Sequence, residues 1–326
     1  MPSPSSSLAT LRPDIAGSFM EFDLAMNEAG FIWNKVMPVT DVTKASGTFG
    51  IIPVEQLLQA RDTARQPGSR YARGNFTFQT ATFACTEHGA EEPVDDREAQ
   101  LYAEYFDAEL IAGMRAAHAV RQNAEKRVAD LLFNATTWNG ASLTTGVTHE
   151  WDDATNATPV DDVFAARAKV YDGSGIWPDT LIVNYKVFLN LLKCDQVIER
   201  IESAGAGSSS RAGQITVEML AQVFNLRKIL VGGGSRNSAN EGLTATPVQI
   251  WSDEYAMICK TADTADFREP CIGRVFHYAE DGSSVNGTVE TYREEAIRSD
   301  VVRVRHDVDE KVLYTQLGHL LSNITT

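Results

Sequence analysis

The longest periodic pattern of apolar and polar positions in this chain runs from Pro93 to Asn134. At 3.6 residues per turn, the apolar side chains gather on one broad side of a helix, and charged side chains such as Arg121 and Glu125 lie opposite. Pro93 suits the first helical position, and repeated alanines keep the helix propensity high. The pattern therefore predicts one uninterrupted helix of roughly 60 Å that packs across a domain.

Two segments before this helix are rich in aromatic residues. The segment from Phe19 to Val39 is amphipathic and has no partner nearby in sequence, so it is predicted to be an arm that contacts another surface. Its candidate contact residues are Phe19, Phe22, Phe31 and Trp33. Apolar and polar residues then alternate from Asn75 to Phe83, which predicts a strand of a long β-hairpin. A hairpin cannot bury a core alone, so it lies on its own body or on a neighbour.

The rest of the chain alternates between helix and strand patterns. Helices are predicted at residues 160–171, 185–193 and 215–224, and strands at 179–184, 228–231, 248–251 and 256–259. Further on, Val302 and Val304 alternate with Arg303 and Arg305, which is typical of a strand with one buried face. These patterns indicate an α/β lobe followed by a β-rich end, and hence an α+β fold class.

Charge and composition exclude several classes of protein. The 326 residues carry a formal charge of −15, which argues against a basic groove for nucleic acid. No apolar run reaches the length needed to span a membrane, and the N-terminus lacks the pattern of a secretion signal, so synthesis in the cytosol is expected. The four cysteines have no CxxC spacing and are predicted to be reduced thiols.

Two segments could carry chemistry, and neither has the full pattern that the chemistry needs. Gly232, Gly233 and Gly234 follow a predicted strand, but no helix pattern opens behind them, so a surface loop is favoured over a dinucleotide site. The segment His149 to Asp153 offers four possible metal ligands without a second cluster, and a solvated loop is favoured there. We predict no catalytic residues, no metal and no cofactor.

Arginines are concentrated on the predicted hairpin. Four lie within 13 residues, namely Arg61, Arg65, Arg70 and Arg73. Fixed positive charge on a projecting element of an acidic chain is suited to contact with an acidic neighbouring copy. Simple solvation is the equally weighted alternative, because exposed ion pairs contribute only ~0–1 kcal/mol each.

The order of these elements resembles that of the major capsid proteins of tailed bacteriophages with the Hong-Kong-phage-type fold. The segments that carry the resemblance are Phe31–Val39, Arg121–Asn134, Pro178–Asn184, Ile215–Phe224, Ile250–Trp251 and Gly318–Asn323. The resemblance implies an N-terminal arm (1–45), an extended hairpin or E-loop (46–92), a spine helix of the peripheral domain (93–138), an α/β axial domain (139–284) and a returning β-rich part of the peripheral domain (285–326).

The same resemblance implies a structural function without enzymatic activity. The chain would assemble with copies of itself into hexamers and pentamers of an icosahedral shell around double-stranded DNA, which it would contact non-specifically. Separate scaffolding, cement and portal proteins are implied partners, and the implied location is the virion, after assembly in the host cytoplasm. One member of the family joins its subunits covalently through a hairpin lysine. No lysine lies between Lys44 and Lys126 here, so noncovalent contacts are expected.

Two alternatives remain open from the sequence. An encapsulin-like nanocompartment shell shares this fold but encloses protein cargo. A soluble α/β enzyme could instead use the Gly232 loop or the His149 cluster.

Overall fold

The computed structural model describes residues 10–11, 28–75, 77, 79–102, 107–203, 215–240, 242–280 and 282–326. The strands in these residues are β1 (Thr10–Leu11), β2 (Val39–Val42), β3 (Ser46–Ile51), β4 (Gln79–Ala84), β5 (Thr86–Asp95), β6 (Thr144–Gly146), β7 (Thr180–Asn184), β8 (Lys228–Gly232), β9 (Ser235–Asn237), β10 (Pro247–Gln249), β11 (Tyr255–Cys259), β12 (Gly273–Tyr278), β13 (Thr288–Glu294), β14 (Ser299–Val312) and β15 (Gly318–Ser322). The helices are α1 (Trp33–Val36), α2 (Val54–Leu57), α3 (Asp96–Tyr102), α4 (Ala108–Leu132), α5 (Pro159–Ser174), α6 (Tyr185–Leu191), α7 (Asp195–Ile201) and α8 (Val217–Val223).

A six-stranded sheet has the order β1-β13-β14-β12-β2, and β5 also pairs with β14. Helix α4 packs against this sheet through small side chains such as Ala116 and Val120, which meet Val302 and Val304 in one cluster. The predicted alternation along β14 is confirmed: Val302 and Val304 are fully buried, and Arg303 and Arg305 bind carboxylates beside the strand.

A five-stranded sheet with the order β6-β15-β11-β7-β8 forms the centre of the α/β lobe. All five residues of β7 are buried, and β7 runs parallel to β8 and antiparallel to β11. Apolar side chains of α5, α6 and α8 join this sheet in the largest buried cluster. The predicted helices and strands of the lobe are thus confirmed, with shifts of a few residues at their ends.

The predicted uninterrupted helix from Pro93 to Asn134 is wrong. Pro93 lies in β5 opposite Val301, because this segment completes the six-stranded sheet. Helix α3 follows directly, and α4 begins only at Ala108, where the Asp107 carboxylate accepts hydrogen bonds from the N–H groups of Glu109 and Leu110. The 25 residues of α4 span about 37 Å.

The two sheets also cut across the domain boundaries that the family resemblance implies. Residues 86–92 pair with β14 and so belong to the six-stranded sheet, not to the hairpin. Strand β12, placed in the axial domain, pairs with β14 and β2 in the same sheet. Strand β15, placed in the peripheral domain, lies between β6 and β11 of the lobe. The two layers are therefore joined by several crossings of the chain.

The predicted hairpin is confirmed. Strands β3 and β4 pair antiparallel, with Ser46 opposite Ala84 and Ile51 opposite Gln79. Helix α2 and an exposed stretch at residues 58–75 connect the two strands. The hairpin therefore has a paired base and a long exposed end.

Candidate assembly surfaces

The base of the hairpin is fixed to the body by a cluster of four phenylalanines. Phe49 of β3 and Phe83 of β4 face Phe276 of β12, with ring centroids 5.2 and 4.9 Å away. Phe267 completes the cluster at 5.7 Å from Phe276 and 6.2 Å from Phe49. Because aromatic pairs contribute about 0.5–1.5 kcal/mol beyond their buried area, this cluster sets the angle at which the hairpin leaves the body.

A buried arginine supports the Phe267 side of this cluster. Arg274 is fully buried, and its guanidinium lies 5.4 Å from the Phe267 ring. Its terminal nitrogens donate to the carbonyl oxygens of Thr264 and Glu269 at 3.0 and 3.2 Å, and to that of Asp266. Backbone carbonyls thus compensate the buried positive charge and hold residues 264–269 in place beneath the hairpin.

We expect replacement of Phe49 by alanine to loosen the hairpin without unfolding the body. The substitution removes three ring contacts, worth roughly 1.5–4.5 kcal/mol together. Protease cleavage between residues 52 and 75 should then become about tenfold faster, while the urea midpoint of the body changes little. Thr48→Ala, on the exposed face of the same strand, is the matched control. Equal cleavage rates in both variants would show that the phenylalanine cluster does not hold the hairpin.

The four arginines of the contact prediction, Arg61, Arg65, Arg70 and Arg73, all lie exposed on the connection between α2 and β4. Local contacts give this connection shape: the Arg65 Nε donates to the Ser69 carbonyl at 2.8 Å, and its guanidinium lies 4.7 Å from the Tyr71 ring. The structure therefore places the predicted positive charge on the projecting end of the hairpin.

The structure corrects the contact prediction for two arm residues. Phe31 and Trp33 are buried in a core cluster of their own chain, so their apolar surfaces are already covered. Phe31 also stacks on His118 of α4, with ring centroids 5.9 Å apart. The other two arm residues, Phe19 and Phe22, lie outside the described residues.

Glu125 joins the arm, α4 and the lobe at one buried point. Its carboxylate accepts hydrogen bonds from the N–H of Ile32 at 3.0 Å, the N–H of Trp33 at 2.8 Å and the indole N–H of Trp251. The N–H groups of Ile32 and Trp33 begin the short helix α1, where a negative charge is favourable. The helical pattern predicts Glu125 on the exposed side of the helix, and this prediction is wrong, because Glu125 is fully buried. The pattern could not show this, since the partners of Glu125 lie far away in sequence.

Burial raises the pKa of the Glu125 carboxyl, and the three N–H donors oppose this shift. Moving a carboxylate from water into the protein interior has a desolvation cost, which only well-formed hydrogen bonds compensate. Each oxygen of Glu125 has such a partner. Glu125 is therefore a structural group that fixes the arm to the body.

The glycine run at the end of β8 is explained by close packing. A Cβ on Gly234 would lie 2.7 Å from the Phe31 ring, and one on Gly232 would overlap the Trp251 indole. Gly233 donates its N–H to the Gly30 carbonyl at 3.0 Å, so the run packs against the arm. The sequence predicts a surface loop here, and this prediction is corrected: the glycines are packed against the arm and Trp251.

The acidic segment around His149 holds the end of the chain in place. Asp152 accepts a hydrogen bond from the N–H of Thr326, and Glu150 accepts one from its hydroxyl. Asp153 accepts from the N–H groups of Thr155 and Asn156. Within the described residues, no three histidine, cysteine or acidic side chains are grouped to hold a metal ion, and no helix is long and apolar enough to cross a bilayer.

Comparisons with known proteins identify this architecture. No protein-family model matches the chain. A protein of Burkholderia phage BcepMu named as a major capsid protein is 27% identical over 217 residues, which cover 64% of this chain and 66% of that protein. The chain thus spans slightly less than two thirds of that relative's length. A phage-related protein of Bordetella bronchiseptica has a structure that matches with a TM-score of 0.68 at 18% identity, over 98% of each chain.

This chain has the fold of phage capsid proteins. The capsid structure of cyanophage P-SCSP1u also matches, with a TM-score of 0.59 at 11% identity over 90% of this chain and 88% of that one. The encapsulin SrpI of Synechococcus elongatus matches with a TM-score of 0.51 at 7% identity over 99% and 92%. The predicted resemblance to phage major capsid proteins and the α+β fold class are confirmed.

Proposed function

We propose that this chain is the major coat subunit of an icosahedral shell that encloses double-stranded DNA, with copies arranged in hexamers and pentamers. The observation that carries the proposal is the fold shared with a phage capsid structure over 90% of the chain, together with the sequence similarity to a phage protein named as a major capsid protein. A single chain type can build a closed container when different surfaces of neighbouring copies meet at a fixed angle. Helix α4 packs on the six-stranded sheet, and this rigid unit keeps the contact surfaces of one copy at a fixed angle to each other.

In this proposal, the hairpin of each copy lies on an adjacent copy through noncovalent contacts. The phenylalanine cluster fixes its base, and the four arginines on its projecting end bind acidic side chains of the neighbour. Packaged DNA is contacted only non-specifically, as suits the formal charge of −15. Scaffolding, cement and portal proteins would be separate chains, and the shell would be assembled in the host cytoplasm and remain in the virion.

The arginine contact is tested by four simultaneous Arg→Gln substitutions on the hairpin, at Arg61, Arg65, Arg70 and Arg73. We expect an unchanged urea midpoint, because all four side chains are exposed. The protein concentration needed for assembly should rise about tenfold at low salt and become less dependent on salt. A control with the same change in net charge replaces four exposed arginines elsewhere, at Arg97, Arg115, Arg268 and Arg298. An equal rise in the concentration needed for assembly in both proteins would contradict a specific role of the hairpin.

The function itself is tested by expressing the full chain and examining the purified protein by negative-stain electron microscopy and light scattering. Closed particles of uniform diameter, or capsomers that convert into them when a crowding agent is added, are expected. Small oligomers under every assembly condition would contradict the proposal.

A nanocompartment shell is the second candidate, because the fold also matches an encapsulin with a TM-score of 0.51. The two functions differ in what the particle contains. Nuclease-protected DNA in particles from the native source would support the coat subunit, whereas a co-purifying cargo protein in particles without DNA would support the nanocompartment.

A further inference from the structure

An open groove of about 550 Å³ lies where α5 ends and the chain turns into β7. Its walls are formed by the end of α5, the segment before β7 and the turn between α8 and β8. The lining residues used below are Phe164, Arg167, Tyr171, Trp177 and Arg227. The groove belongs to the α/β lobe and is separate from the hairpin arginines.

Large apolar side chains are exposed at this groove. Trp177 is 75% exposed and Tyr171 is 48% exposed. Leu58, which follows α2 in the hairpin and is 58% exposed, lies beside Gly175 at the end of α5, where an added Cβ would come within 3.2 Å of the Leu58 side chain. Clustered exposed apolar residues of this size are typical of protein contact sites, and tryptophan and tyrosine are the side chains most enriched there.

The groove also contains a cation that lacks a carboxylate. One terminal nitrogen of Arg167 donates to the Phe224 carbonyl at 3.0 Å, while its Nε is buried and has no hydrogen-bond partner. Among the described residues Arg167 forms no ion pair, and burial lowers the pKa of its guanidinium. The ring centroid of Phe164 lies 5.3 and 5.7 Å from the guanidinium carbons of Arg167 and Arg200. Because Arg167 is only half-buried and lines the open groove, a carboxylate from outside can pair with its guanidinium.

The ion pairs at the groove leave positive charge in excess. Asp263 binds both Arg227 and Lys228, and Asp179 binds Lys260. Of the charged side chains that line the groove itself, two are cations, Arg167 and Arg227, and one is a carboxylate, Asp179. A positive groove is unusual on a chain with 44 acidic and 29 basic residues, and it is complementary to most of the surface of another copy.

We propose that this groove is a contact between copies of the chain, in which an acidic segment of a second copy inserts beside Trp177 and pairs with Arg167. The inference rests on the proposed shell function and assigns one of its contact surfaces. The groove of one copy and the acidic segment of the next are different surfaces, so the contact is heterologous and can continue around a ring.

Tryptophan fluorescence provides a direct test, because Trp177 is the exposed member of the five tryptophans. Trp33, Trp138, Trp151 and Trp251 are buried. In the dissociated wild-type chain, acrylamide should quench mainly Trp177, and iodide should quench it more strongly than caesium because the groove is positive. In assembled particles this quenching should disappear. If Trp177 in intact particles stays as accessible as in the dissociated chain, the groove is open to another ligand and the inference is overturned.

A pair of variants tests the energetic role of the contact. Trp177→Ser should leave the urea midpoint unchanged and raise the concentration needed for assembly ~30-fold, as expected for a central aromatic contact. Leu243→Ser is the control, because Leu243 is 67% exposed between β9 and β10, away from the groove. Assembly of Trp177→Ser at the wild-type concentration overturns the groove contact alone. A wild-type chain that never assembles overturns the shell function together with it.

Discussion

Replacement of Glu125 by alanine is expected to lower the free energy of unfolding by about 4 kcal/mol. The substitution leaves the N–H groups of Ile32 and Trp33 and the indole N–H of Trp251 without acceptors in a buried site. Each such orphaned group costs about 1–3 kcal/mol, and relief from burying the carboxylate offsets part of the sum. Urea unfolding of the dissociated chain at pH 7 measures the difference.

Two further variants make this result specific. Asp130→Ala, on the exposed side of the same helix, should change stability by less than about 0.5 kcal/mol, because its carboxylate only pairs with Lys126 in solvent. Glu125→Gln keeps the shape and one acceptor oxygen, so it should cost less than Glu125→Ala. Equal stability of the Asp130 and Glu125 alanine variants would mean that the buried carboxylate does not hold the arm.

Amide hydrogen exchange and the pH dependence of stability test whether the effect of Glu125 arises at its contacts with the arm. The amide protons of Ile32 and Trp33 should exchange faster in Glu125→Gln, whereas those of β7 should not. The raised pKa of Glu125 also predicts the direction in which stability changes with pH. Between the unfolded value of about 4.5 and the higher folded value, the folded state binds more protons, so this carboxyl loses stability as pH rises through that window. Glu125→Gln should remove this contribution.

Local patterns were sufficient to predict the lobe. The run Thr180–Asn184 is apolar throughout its centre and buried on both faces, as a central strand requires. Thr216 precedes an apolar repeat, and its hydroxyl accepts a hydrogen bond from the N–H of Met219 at the start of α8. In both cases, the residues that determine the structure lie within a few positions of one another.

Residues with distant partners could not be predicted in this way. In the sequence, Glu125 looks like any exposed charged residue on a helix. The N–H groups that donate to its carboxylate belong to residues 92 to 126 positions away. Pro93 and Val94 suit a helix start as well as a strand, and pairing with Val301 and Asp300 decides between them. The groove beside Trp177 was missed for the same reason, since the α8–β8 turn and the end of α5 meet only in the folded lobe.

Acidification from pH 7 to pH 4.5 should destabilise the chain through two buried histidines, His306 and His319. Burial lowers the pKa of each to about 4, whereas an unfolded histidine titrates near 6.5. Between these values the unfolded state binds more protons, so stability is lost as pH falls through this window. The gap corresponds to about 3 kcal/mol for each histidine when the whole window is crossed.

The contacts of both rings explain why a second proton is unfavourable. His319 Nδ1 faces the Ser142 carbonyl at 2.9 Å, and its Nε2 faces the Thr145 hydroxyl at 3.0 Å, to which Lys169 also donates. In His306, Nδ1 faces the Val285 carbonyl at 3.0 Å, and Nε2 lies 3.4 Å from a guanidinium nitrogen of Arg127. A proton on either Nε2 would therefore be added beside a fixed positive charge.

The measurement is the difference in unfolding free energy between wild type and His319→Asn at several pH values, which cancels the opposite contribution of Glu125. At pH 7 the variant should be less stable, because it loses a buried ring contact. Towards pH 4.5 the difference should shrink by about 2–3 kcal/mol, since only the wild type must bury an imidazole there. His149→Asn, at an exposed position, is the control. A wild-type minus His319→Asn difference that is constant across this range would show that His319 does not couple folding to pH.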